Sequence, residues 1–384
     1  MRRPRARPIL VWPWRQGNEV QLLREGEQFF ARMLGAIEAA RQYVLLEMYL
    51  LESGIIASRF IEALARSAAR GVHVAAIFDG YGSLGLLATD RARLMQAGVQ
   101  LQIYNGLHWR KWLRNFMRNH RKLLLVDGET AFIGGAGLTD AFAVAGARGT
   151  PWREIMLQVC GPAVGDWQAA FLQTWNREAD ELALPPPQNR AERAQGVPGR
   201  VVLSAGWRRS PLANEVVTRI RTARRRVWIM SAYFVPSRRF RKAMRQAARR
   251  GVDVRLLVPG ALTDHPWVRY AARRFYGRML RKGVRIFEYQ PHMLHAKMTL
   301  CDDWASIGSS NLDRWGFKWN LEGNQEIDAA PFADLLASSF EDDLSRSSEL
   351  DTHRWRQRHW LDRARESVAG ALDRWAERWR PPPP

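Results

Sequence analysis

The chain has 384 residues, 46% of them hydrophobic, with 59 Lys+Arg against 38 Asp+Glu and a net charge of +21. That length supports two domains with cores of their own, and the apolar fraction excludes a disordered chain. The charge points to a polyanionic partner, nucleic acid or an anionic membrane, without choosing between them.

The N-terminus, Met1-Arg-Arg-Pro-Arg5, is basic but lacks the apolar core of a secretory signal. No uncharged apolar run reaches the roughly 18–20 residues that span a bilayer, so a soluble or peripheral protein is expected. The two cysteines, Cys160 and Cys301, fall in apolar strand-like runs and read as free thiols of a reducing compartment. Neither a C-x-x-C pair nor a clustered zinc spacing occurs, and no metal or cofactor is expected.

Taken in order, an amphipathic helix pattern around Gln28–Ala40 leads to a strand at Tyr43–Tyr49. A helix at about Ser58–Arg70 stops at Gly71 before a strand at Val72–Phe78, and another stops at Gly98 before Val99–Tyr104. After residue 200 the pattern returns. A helix near Asn214–Arg224 precedes a strand at Val227–Phe234, and helices stopping at Gly251 and Gly283 precede strands at Val252–Val258 and Val284–Tyr289. Glycine just past a helix, followed by a β-branched run, is a helix stop and strand start. Such alternation predicts a layered α/β fold with a largely parallel central sheet. The expected organisation is a basic N-terminal segment (1–24), a first α/β domain (25–183), a Pro- and Gly-rich linker (184–200), a second α/β domain (201–345), and a basic amphipathic helix with a Pro tail (346–384).

The octapeptide H-x-K-x-x-x-x-D occurs in both halves, as His120-Arg-Lys122-Leu-Leu-Leu-Val-Asp127 and His295-Ala-Lys297-Met-Thr-Leu-Cys-Asp302. Each copy is followed by Ile-Gly, at Ile133-Gly134 and Ile307-Gly308. On a strand, residues two apart share a face, so each His and Lys would point to one side. The chemistry suits phosphoryl transfer: one histidine attacks phosphorus, the other protonates the leaving oxygen, and two lysines hold the phosphoryl oxygens.

These octapeptides, with Leu46-Glu-x-Tyr49, Trp152-Arg-Glu154, Gly308-Ser-Ser-Asn311 and Asn324-Gln-Glu326, resemble the phospholipase D superfamily over roughly residues 25–345. The resemblance implies two duplicated α/β/α sandwich domains packed around a pseudo-two-fold cleft. One chain would then hold a complete site, and no oligomer would be required for catalysis. It also implies a two-step displacement through a phosphohistidine. Precedent favours His120 as nucleophile and His295 as acid/base, an assignment the residues themselves leave open. Lys122 and Lys297 would hold the equatorial oxygens, and Gly135, Ser309 and Asn311 match positions near the phosphate. The first half departs from the pattern, with Gly134-Gly-Ala-Gly137 where the second has Gly-Ser-Ser-Asn, so an asymmetric site is expected. Glu154 and Glu326, at similar offsets after the two histidines, are the candidates for orienting them. Asp127 and Asp302 are placed in the catalytic set by the motif, but at the strand ends they would shape turns more than touch substrate.

Two segments favour a lipid. In His108–Asn119, Trp109, Trp112 and Phe116 alternate with basic residues, as at a membrane interface; a basic loop or a core-packed helix would fit the same pattern. Near the C-terminus, Leu361, Ala364, Val368, Leu372, Trp375 and Trp379 form one stripe, and His353–Arg380 carries eight arginines against four acids. That pattern is an interfacial amphipathic helix or a helix packed on the body. A third basic run, Arg269–Lys282, reads as a helix with a solvated arginine face.

Overall the pattern is most similar to the bacterial cardiolipin synthases, in the shorter form without N-terminal membrane helices. That resemblance implies phosphatidyl transfer from phosphatidylglycerol to a second phospholipid alcohol, in the cytoplasm against the inner membrane of a bacterium. An anionic phospholipid surface and phospholipid substrates are the expected partners, rather than nucleic acid. Hydrolysis to phosphatidic acid, cleavage of a nucleic-acid phosphodiester, and membrane binding without catalysis are the alternatives.

Overall fold

A computed structural model describes residues 8–143, 149–178, 182, 184, 195–206 and 210–377. The first half contributes strands β1 (Arg15–Arg24), β2 (Tyr43–Met48), β3 (His73–Asp79), β4 (Gln100–Tyr104), β5 (Arg118–Asn119), β6 (Lys122–Val126), β7 (Thr130–Gly134) and β8 (Ile155–Cys160). The second contributes β9 (Val197–Ala205), β10 (Arg226–Met230), β11 (Asp253–Pro259), β12 (Arg285–Tyr289), β13 (Met298–Cys301), β14 (Trp304–Gly308), β15 (Asn320–Asp328) and β16 (Ser347–Glu349). They form one continuous sheet in the order β16-β12-β11-β10-β13-β14-β15-β9-β1-β8-β7-β6-β2-β3-β4, with β5 paired to β15. The order is nearly palindromic about the β9–β1 seam, as a duplication requires.

Apart from the short parallel β5–β15 pair, the expected parallel sheet holds only for β2–β3–β4 and β10–β11–β12. Inward from these the pairing is antiparallel, because each octapeptide strand turns straight back on itself, β6 into β7 and β13 into β14. A tight hairpin can only join antiparallel strands. The seam strands were also hidden from the sequence. β1 lies inside the expected N-terminal segment and β9 begins inside the expected linker, yet β1 pairs with both β8 and β9. β1 carries few apolar residues in a polar run, so its burial against both halves had little local signature.

Side-chain alternation divides the core. In β2, Tyr43 and Leu45 face a core shared by both halves, while Val44, Leu46 and Met48 face a core of the first half alone. The shared core is closed by helices Ala163–Glu178, through Trp167 and Phe171, and Ala330–Ser345, through Phe332, Leu336 and Phe340. Helices Gly26–Ala39 and Ile55–Ala69 cover the opposite face in the first half, and Pro211–Thr222 and Arg238–Arg249 in the second. Cys160 and Cys301 are free thiols, Cys301 buried. No helix among the described residues is long and apolar enough to cross a membrane.

The basic run Arg269–Lys282 does not present a solvated arginine face throughout. It forms helices Pro266–Arg273 and Tyr276–Leu280. Arg269 and Arg273 both bind Glu288, Arg273 also binds Glu366, and Arg274 binds Asp373. Carboxylates contributed from far along the chain draw these cations inward, which a local pattern cannot show.

Candidate active site

Each octapeptide begins its strand at one end of the sheet, and the two beginnings meet. β6 starts at Lys122 and β13 at Met298, so the histidines stand just ahead of the strands. There each is gripped by the other half. His120 N–H donates to Leu321 O at 2.9 Å, and His295 N–H donates to Arg153 O at 2.8 Å. Leu321 and Arg153 each immediately precede a glutamate, so the backbone pairing delivers that glutamate to the opposite half's histidine. His120 Nδ1 lies 3.0 Å from Glu322 Oε2, and His295 Nδ1 lies 2.6 Å from Glu154 Oε2. With a carboxylate at Nδ1, Nε2 is the nitrogen left for a reacting atom.

This crossing corrects the expectation for Glu326. Its carboxylate binds Arg200 at 2.7 Å, farther along β15 from Leu321, which pairs with His120, and burial pushes its pKa up to about 7. Glu322, four residues earlier, takes the role. A constant offset from the histidine misled because the connection from Gly308 to Glu322 is shorter than that from Gly134 to Glu154. Strand register gives the right residue: Gly134 pairs with Met156 and Gly308 with Asn324, so Glu154 and Glu322 are equivalent.

The two carboxylates differ in support. Glu322 accepts a 2.5 Å hydrogen bond from the Ser309 hydroxyl and one from Asn320 Nδ2. Burial raises its pKa, but His120, Lys122 and Ser309 outweigh burial and hold it below the usual carboxylate value. Glu154 accepts from Ile155 N–H at 3.0 Å and faces Lys297 Nζ at 3.5 Å, and here burial prevails and raises it. In place of Ser309 the first half has Gly135. A Cβ there would stand 2.3 Å from Glu154 Oε2, so the glycine is required by the close approach of the carboxylate. Ser309 and Gly135 therefore lie behind the glutamates. Asn311, buried on the cleft wall, accepts from Tyr233 N–H. Its counterpart Gly137 has no room for a side chain, since a Cβ would lie 2.6 Å from Leu50 O.

Lys122 Nζ donates to His120 O at 2.8 Å and stands over the Tyr49 ring, and Lys297 Nζ donates to His295 O. Burial pushes Lys122 down to about 7 and lowers Lys297. Burial also lowers both histidines with help from the two lysines, but Glu322 pulls His120 partly back up, so His295 is lowered further. The lowered pKa values favour neutral rings in the free protein, and an arriving anionic phosphoryl group would raise the lysines toward their protonated form. His120 packs on Tyr49, whereas His295 sits among Phe142, Trp152 and Tyr233.

Asp127 and Asp302 build turns. With φ of 52° and 53°, they accept from the backbone N–H groups of Arg41, Gln42 and Tyr43, and of Arg224, Arg225 and Arg226. Each fixes the start of the neighbouring antiparallel strand, β2 or β10, to the end of the octapeptide strand.

Both histidines, Lys122, Glu322 and Asn311 line one cleft of about 1030 Å³ within the single chain. Of the residues expected at a membrane, Trp109 and Trp112 are 77% exposed, Phe116 and Trp375 are about half exposed, and Trp379 lies outside the described residues. Trp109–Phe116 is a short 3-10 segment broken at Trp112, not a core-packed helix.

Two α/β halves that cross their carboxylates onto paired histidines and lysines define a phospholipase D-type phosphatidyltransferase. The sequence model of the family described as "Cardiolipin synthase, PLD-like domain" matches residues 33–166 and again 216–344, and the chain belongs to that family. It is 36% identical over 370 residues to cardiolipin synthase A of Pseudomonas entomophila (strain L48), covering 92% of this chain and 75% of that protein. Against cardiolipin synthase A of Pseudomonas aeruginosa (strain LESB58) the identity is 36% over 88% of this chain and 69% of that protein. The fold matches the crystal structure of phosphatidylserine synthase from Haemophilus influenzae Rd KW20 with a TM-score of 0.72 over 93% of both chains, at 12% identity.

Proposed function

We propose that this chain makes cardiolipin at an anionic membrane surface by passing a phosphatidyl group from phosphatidylglycerol, through His120, to the free hydroxyl of a second phospholipid. The crossed carboxylates carry this reading, because they give the two histidines opposite electrostatic backing. Glu322 stays ionised beside His120, fixes its Nδ1–H tautomer and stabilises the positive charge that develops on the ring as it is phosphorylated. Glu154 holds a proton more readily, which keeps one within the Glu154–His295 pair for the leaving oxygen.

In the first step His120 Nε2 attacks phosphorus while the P–O bond to glycerol breaks, and His295 protonates the departing alkoxide. In the second, His295 takes the proton of the acceptor hydroxyl, the new P–O bond forms, and the P–N bond to His120 breaks. Lys122 and Lys297 neutralise the non-bridging oxygens in both steps. One chain suffices, since both histidines share its cleft.

The test is incubation of the protein with phosphatidylglycerol vesicles and mass analysis of the products, beside His295→Ala. Cardiolipin and free glycerol, absent with the variant, are expected. Phosphatidic acid alone would keep the site and make water the acceptor. Turnover of single-stranded DNA without lipid turnover would overturn the lipid reading.

A further inference from the structure

The C-terminal helix Trp360–Glu377 is mounted with its polar side inward. Glu366 is buried and binds Arg273 and Arg358, and Asp373 binds Arg274, Arg314 and the Trp315 indole N–H. Because these carboxylates and Ala369 face the body, the stripe Leu361, Val368, Leu372 and Trp375 is left outside, each residue 40–55% exposed. A helix stabilised by its own packing would turn this stripe inward. Here buried arginine–carboxylate pairs hold it out.

The stripe does not stand alone. Tyr81, Leu84, Phe116, Trp267, Leu372 and Trp375 line the cleft that holds both histidines, and each is also more than half exposed. Residues with both properties mark the mouth of the cleft. They come from four separate parts of the chain and both halves, so the apolar ring is a feature of the assembled site. An apolar ring of this kind marks an interaction surface.

We infer that this ring and the outward stripe are a docking face for an anionic phospholipid bilayer, seated so that a lipid's phosphate descends to the histidines while its acyl chains stay among the ring residues. This rests on the reading of the cleft as a phosphatidyl-transfer site. The occupant follows from the order of chemistry along the cleft, with Lys122 and the two histidines recessed in its wall and aromatic and aliphatic groups at the mouth. A phospholipid has that order, phosphate joined to hydrocarbon. The charge of +21 and the exposed Trp109 with Arg110 over its ring, on the segment that ends at the cleft-lining Phe116, add attraction for an anionic surface. Because Asp373 also holds Arg314 and Trp315, the docked helix is tied to the loop whose Asp313 lines the cleft.

The test uses the full chain and the double variant Leu361→Glu/Val368→Glu. Both positions lie on the stripe, outside the cleft lining, and are exposed enough to accept glutamate without unfolding, which circular dichroism would verify. Flotation with phosphatidylglycerol vesicles reads docking, and turnover is compared on those vesicles and on monomeric dihexanoyl phosphatidylglycerol. The variant is expected to lose at least about tenfold in vesicle-bound fraction and in vesicle turnover, with turnover of the monomeric lipid unchanged. Flotation equal to wild type would overturn the inference. An equal loss on monomers would overturn it too, by making the helix part of the site's support. Wild-type flotation as strong on phosphatidylcholine vesicles would overturn the anionic preference. If the wild type floats through the stripe yet turns over neither lipid, the docking face stands and the proposed reaction falls.

Discussion

Around His120 stand a carboxylate held below its ordinary pKa and supported by a serine hydroxyl, a tyrosine ring, and a lysine that burial pushes down to about 7. Around His295 stand a carboxylate backed by a glycine, three aromatic rings, and a lysine close to both. The octapeptides share one pattern of His, Lys and Asp; the surroundings differ. The two halves bring equivalent histidines together, and under the proposed mechanism the packing behind them would make one half-site better at stabilising charge and the other better at holding a proton. A two-step displacement needs that division, since one ring must carry phosphorus while the other shuttles a proton.

The strongest way to break the comparison is to remove each histidine and ask what remains. Either alanine variant should lower turnover by at least about 10³-fold, because nucleophile and acid/base act in both steps. They should separate on a donor with a p-nitrophenol leaving group, which needs no general acid. His295→Ala should then release p-nitrophenol in a single burst and hold a phosphorylated His120, seen by mass spectrometry under alkaline quench. His120→Ala should give no burst. A burst from His120→Ala with the adduct on His295 would reverse the two half-sites.

The glutamates sharpen the comparison at lower amplitude. Glu322→Gln replaces a carboxylate that works ionised and should reduce kcat by roughly 10²–10³-fold. Glu154→Gln replaces one already drawn toward its neutral form, so the loss should be nearer tenfold. Glu326→Gln should leave kcat within about twofold, because that carboxylate serves Arg200. Equal losses for Glu322 and Glu154 would erase the electrostatic difference between the halves.

The last residue shows where legibility in the sequence stopped. The octapeptides carry their own spacing, so both His–Lys pairs and the α/β class were readable, and the turn-forming position of Asp127 and Asp302 followed from strand length. Glu322 was not readable by counting, since its partner His120 lies 202 residues away and the intervening loop lengths differ. Its equivalence to Glu154 exists in strand register, which appears only when β7–β8 and β14–β15 are paired. The same reason hid β1 and β9: a seam strand is specified by the two halves it joins more than by its own residues. The C-terminal stripe was readable as amphipathic, but its direction was not, because the carboxylates that decide it bind arginines nearly a hundred residues upstream.

The smallest effect concerns stability. Lys122 is buried, and its pKa of about 7 lies below the ordinary lysine value of 10.5. Below pH 7 both folded and unfolded chains hold this proton, and the folded chain bears the full penalty of burying the ammonium. Between about pH 7 and 10.5 the unfolded chain binds more protons, so this group's contribution to stability rises with pH across that window. Lys122→Met removes the charge at similar length and should stabilise the fold by about 1–4 kcal/mol at pH 6, while turnover is lost. The gain should shrink as pH rises from 6 to 9, read from urea unfolding midpoints of both proteins at each pH. A gain that is constant with pH would mean that Lys122 stays charged throughout. The half-site around His120 would then owe its neutrality to the ring alone, and the lysine would meet the phosphate already protonated.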